Sequence, residues 1–115
     1  MITMLNKILG EISKNTFRKT VLSTYVILCK DYKDETYYKM QGRTLDNLAH
    51  ELNIVRPYLR DVIDAMISAH MIEKVINYEG ETAYKAFHIH PIILDTKNDL
   101  ELRGRCNTLL HSVGI

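Results

Sequence analysis

The residues best suited to chemistry in this chain are cations that can meet nucleic acid. Arg56 and Arg60 stand four apart, so on a helix they share one face, with Tyr58 between them. A guanidinium is the side chain that takes guanine O6 and N7 in a bidentate contact, and a tyrosine can reach a phosphate or a thymine methyl. Lys39, Arg43 and Thr44 lie just upstream, where they would meet phosphates at the start of a capped helix. Lys85 lies downstream among strand-forming residues.

Other constellations carry less. His88 and His90 would point to one face of a strand, but His50, His70 and His111 belong to separate stretches and no Cys-x-x-Cys accompanies them. No metal site is therefore expected. Cys29 and Cys106 each sit among apolar residues and read as small buried hydrophobes rather than as a disulfide. The five glycines never form a phosphate-cradling loop. No Ser/His/Asp or paired-carboxylate spacing supports catalysis, so neither an enzyme nor a cofactor is expected.

These cations need elements to position them. Thr44 is a good N-cap for a short helix bearing Leu45, Leu48, Ala49 and Leu52. Asn53 suits a turn, and Pro57 sits where a new helix begins. That second helix carries Leu59, Val62, Ile63, Met66 and Ile67 on its apolar stripe and ends near His70. Two short amphipathic helices joined by so brief a turn must cross to share a core, which leaves the outer face of the second one free. Ala49 is small where the two axes come closest.

After His70 the period changes from helix to strand. Residues 74–78 and 82–89 read as two strands around Glu79-Gly80-Glu81, an acidic tip that phosphates would repel. Upstream, Ile2, Leu5, Leu9 and Ile12 suggest a first helix, and Ser13-Lys14-Asn15-Thr16 a cap before a second one. The stripe of that second helix is Phe17, Val21, Tyr25, Leu28, Cys29 and Tyr32. Residues 37–41 read as a short strand ended by Gly42. Leu102, Cys106, Leu109, Leu110 and Val113 form a C-terminal helical stripe weakened by Gly104.

The segment from Thr44 to Lys74 resembles the helix-turn-helix of winged-helix DNA-binding regulators, small prokaryotic proteins of the MarR-like, plasmid or phage type. Leu48-Ala49 and Leu52 match the family's first helix, Ile54 the aliphatic of the turn, and Ala69-His70-Met71-Ile72 its Ala-Gly-Leu-Ile. Asn53 and His70 stand where the family has glycine. The resemblance implies an α+β, mainly α fold: a winged helix-turn-helix with a two-stranded β-hairpin wing and additional N- and C-terminal helices. One domain spans 1–115, with flanking helices at 1–13 and 97–113, the helix-turn-helix at 44–70 and the wing at 73–90.

Charge distribution agrees with such a surface. Residues 1–60 carry ten Lys/Arg against six Asp/Glu, a net of +4, and residues 61–115 five against eight, a net of −3. A basic half favours phosphates through counterion release, and Lys14, Arg18 and Lys19 could add backbone contacts. No apolar run spans a bilayer and no secretory leader is evident, so a cytoplasmic protein is expected. The expected partner is double-stranded DNA with an inverted repeat, bound by a homodimer paired through the terminal helices. The acidic wing could instead meet a protein, as in winged-helix adaptors that bind no DNA.

Overall fold

The computed structural model describes residues 4–86, 97–112 and 115, the side chains of 4–16 and 99 lying outside that description. It is an α+β fold, mainly helical, with one small antiparallel sheet. Helix α1 runs Met4–Lys33, α2 Tyr37–Gln41, α3 Leu45–Leu52, α4 Arg56–Ser68 and α5 Asp99–Ser112; the strands are β1 Arg43–Thr44, β2 Ile72–Ile76 and β3 Thr82–Ala86. None of these helices is long and apolar enough to cross a membrane.

Two sequence expectations are corrected at the N-terminal end. The helices expected on either side of Ser13-Lys14-Asn15-Thr16 are one continuous helix of 30 residues. Polar residues of this kind cost a helix interior only about 0.7 kcal/mol or less each. With neither proline nor glycine among them, propagating through is easier than nucleating anew. Residues 37–41 form not a strand but the short helix α2, closed by Gly42, whose N–H donates to the Tyr38 carbonyl at 2.8 Å. Tertiary contacts override the strand propensity of the tyrosines: the Gln41 side chain is buried and accepts from the Tyr78 N–H at 3.0 Å, tying α2 to the end of β2.

The expected two-stranded hairpin is a three-stranded sheet, in the order β1-β3-β2. Arg43 pairs with Tyr84 and Thr44 with Ala83, while Ile72–Ile76 pairs antiparallel with Thr82–Ala86. Gly42 makes the third strand possible. Its φ is +73°, and a Cβ there would lie 2.7 Å from the Tyr84 carbonyl oxygen. Asn77 organises the hairpin tip: its Oδ1 accepts from the N–H groups of Glu79 and Glu81, and its carbonyl from Gly80.

The core joins α1, α3, α4, α5 and the sheet. Val21, Tyr25, Leu28 and Cys29 meet Leu48, Leu59, Val62, Ile63, Met66, Ile72 and Ala86. The C-terminal stripe of Leu102, Cys106, Leu109 and Leu110 packs into this same core. The apolar face of α5 is therefore covered within its own chain. Of the terminal helices expected to pair across a two-fold axis, residues 2–12 and Val113 lie outside the described side chains.

Candidate nucleic-acid interface

Within residues 44–70, helices α3 and α4 follow one another across a three-residue turn and share one core. At the start of this segment, the Thr44 hydroxyl accepts from the Asn47 N–H at 3.1 Å, capping α3. At its middle, Asn53 is left-handed (φ 53°, ψ 51°). Its N–H donates to the His50 carbonyl and that of Ile54 to Ala49, the paired bonds of a Schellman ending. At the end of α4 the arrangement recurs: His70 has φ 59°, its N–H donates to Ile67 and that of Met71 to Met66. The two positions where this sequence departs from glycine thus both take the left-handed conformation. The aliphatic residue after each, Ile54 or Met71, packs onto the core.

Helix α4 is sharply two-sided. Leu59, Val62, Ile63 and Met66 are buried, whereas Arg56, Pro57, Arg60, Asp61 and Asp64 are exposed. A fully buried back fixes how the outer side chains are presented. Tyr58 is not among them. It flanks the buried stripe, half-buried, with its ring set edge-on to Phe17 of α1 at 6.4 Å between centroids. One turn before Val62, it faces α1 rather than outward.

The remaining expected contact residues are engaged with their own chain. Arg43 donates from Nε and Nη2 to the two carboxylate oxygens of Asp31 (2.5 and 2.9 Å) and from Nη1 to Asn47 Oδ1 (3.1 Å). It also lies 4.1 Å above the Tyr38 ring, and Asn47 Nδ2 closes the circuit on the Tyr38 hydroxyl. The bond to Asp31 holds its guanidinium above the ordinary arginine range. Arg43 therefore joins the end of α1 to the start of α3 rather than reaching outward. Lys39 pairs with Glu35 at 3.3 Å and lies over Tyr32. Lys85 pairs with its cross-strand partner Glu73 at 3.6 Å. Arg56 pairs with Asp46 at 2.7 Å, yet both side chains stay about two-thirds or more exposed, at 65% and 73%.

Between residues 34 and 86 that leaves Arg60 and Lys74 as the two cations with no ion pair among the described residues. Both line one cleft between α4 and the hairpin. Sequence reasoning made Lys74 the first residue of the strand over 74–78 and missed this convergence. The signal was the strand alternation, which sets Lys74 opposite Tyr84 on the face turned toward α4.

Upstream, Lys19 is exposed and Arg18 half-buried, and the Lys14 side chain lies outside the described residues. No group of three or more His, Cys, Asp or Glu among the described residues could hold a metal ion; His88 and His90 lie outside them. Both cysteines are buried and free. Comparison with family models, curated proteins and solved structures found no match for this chain.

Proposed function

We propose that the chain is a winged helix-turn-helix protein that binds double-stranded DNA sequence-specifically, with α4 in the major groove. In this reading the protein serves as a transcriptional regulator or as a replication or partition factor of a plasmid or phage. The observation that carries it is the outer face of α4, where Arg56 and Arg60 project from a helix whose opposite side is wholly buried. Arginines on a rigid, protruding helix face are the arrangement that reads guanine edges. Two molecules related by a two-fold axis, paired through the terminal helices, would read an inverted repeat.

Selection of bound duplexes from a random pool tests this reading. It predicts an enriched, palindromic G·C-containing motif whose affinity falls steeply with salt. Recovery of no motif, with no duplex binding at 50 mM salt, would overturn it.

A second reading, a protein-interaction adaptor, rests on a different surface. Tyr37, Met40 and Tyr78 are all exposed, at 60%, 70% and 79%, and the exposed Glu79 and Glu81 follow Tyr78 in the chain. An adaptor would show little duplex binding at any salt.

A further inference from the structure

The cleft between α4 and the hairpin encloses about 340 Å³. Its α4 wall presents Arg60, Asp64 and Ile67, which follow one another along a single helical stripe. Its sheet wall presents Lys74, Tyr84 and Thr82. Lys74 and Tyr84 are register partners, and Thr82 is the partner of Ile76, so all of them point to the same face. Arg60 and Lys74, neither in an ion pair among the described residues, thus line one opening together with Thr82 and Tyr84, whereas the neighbouring Lys39, Arg43, Arg56 and Lys85 are held by carboxylates of the chain itself.

We infer that this cleft seats a phosphate, and that in the DNA complex the occupant is one backbone phosphodiester lying between the major groove entered by α4 and the hairpin. The inference rests on the DNA-binding reading for its source of phosphate, but the seat is defined by its own residues. Arg60, at the edge of the groove, supplies the first charge, which leaves Arg56 as the guanine-reading arginine of α4; Lys74 supplies the second charge, and the Thr82 and Tyr84 hydroxyls donate to phosphate oxygens. Charge-assisted hydrogen bonds to phosphate are the strong ones, and a planar guanidinium opposite a mobile ammonium suits a tetrahedral anion. Asp64 is the opposing element. It lines the same space, and its charge limits the anion the cleft accepts.

Along the hairpin, Lys74 and Tyr84 form the middle pair of the five, and Thr82 is the last paired residue before the turn that carries Glu79 and Glu81.

Lys74→Gln is the discriminating variant, because Lys74 is exposed on a strand and contributes nothing to the core. Losing one phosphate contact lowers the salt slope by about 0.9, which corresponds to roughly 8-fold weaker binding at 0.1 M salt. Sequence preference is unchanged, since a phosphate contact carries no base information. Asp64→Asn acts oppositely and tightens binding. Wild-type slope and affinity in Lys74→Gln would refute the seat while leaving the α4 reading intact.

If the wild-type protein binds no duplex, the source of phosphate is tested directly by titrating inorganic phosphate and pyrophosphate into labelled protein. Amide shifts at Lys74, Thr82 and Tyr84 that vanish in Lys74→Gln then establish the seat for a free phosphorylated ligand. No shift at those residues refutes it.

Discussion

Arg56 and Asp46 make opposite demands on this protein in its free and DNA-bound states, and Asp46→Asn separates them. The pair joins the start of α4 to the first turn of α3 at 2.7 Å, with side chains 65% and 73% exposed. An ion pair this open contributes about 0.2–1 kcal/mol. The Asp46 charge also interacts favourably with the N-terminal dipole of α3, a further ~0.3–1 kcal/mol. Asp46→Asn is therefore expected to lower unfolding stability by roughly 0.5–2 kcal/mol, measured as a shift of the urea midpoint at constant slope. DNA affinity should move the other way. An Arg56 that contacts a base must first leave Asp46, so removing that competitor returns about 0.2–1 kcal/mol, or roughly 1.4- to 5-fold in Kd. Fluorescence anisotropy with a selected duplex reads the affinity. Unchanged or weaker binding in Asp46→Asn, alongside the expected loss of stability, would show that Arg56 does not face DNA and would remove it from the proposed interface.

Further outcomes test the scaffold beneath the interface. Gly42→Ala places a side chain in a backbone region almost confined to glycine, with its Cβ 2.7 Å from the Tyr84 carbonyl oxygen; it should cost about 3 kcal/mol or more in chemical denaturation. Gly104→Ala, where a Cβ meets nothing within 4 Å of α5, should instead stabilise by about 1 kcal/mol. Arg43→Met strands the Asp31 carboxylate, only 8% exposed, and should cost about 3 kcal/mol, with Arg43→Lys intermediate because an ammonium lacks the two-pronged geometry. The Asp31→Asn/Arg43→Met double variant should lose less than the sum of the single ones, and strict additivity would refute the pairing. Burial, together with neighbouring Cys106, pushes the Cys29 thiol up to about 12, and burial pushes Cys106 to about 11, from an ordinary 9.0. Folding thus favours the neutral thiols. Their contribution to stability is complete below pH 9 and is lost as pH rises from 9 toward 11 and 12, so the urea midpoint should fall across that window. Native protein at pH 8 should resist iodoacetamide at both sites, and rapid labelling before unfolding would contradict the buried placement.

Local signals were enough where one residue imposes one backbone state. Thr44 as an N-cap, Asn53 and His70 at left-handed positions, and Pro57 in the first turn of α4 all stand where their types require. The stripe Leu59, Val62, Ile63 and Met66 was legible for a related reason: helical periodicity declares which face must be buried. What failed was local evidence with no strong conformational veto behind it. Ser13 to Thr16 resembled a cap but contains nothing that breaks a helix. Tyr37–Gln41 had the composition of a strand and became a helix because Gln41 finds its partner in Tyr78, far away in sequence, while Tyr38 meets Asn47 of α3.

The amino-acid sequence by itself determined that α4 has a greasy back and an arginine-bearing front, because that depends only on residue type and the 3.6-residue period. Which cations remain available was decided by the tertiary structure. Arg43 meets Asp31 across twelve residues, Arg56 meets Asp46 across ten, and Lys74 comes to share a cleft with Arg60 only once the hairpin folds against α4. Charge is a property of a residue, but availability depends on what stands within a few ångströms of it, and such neighbours are chosen by the fold.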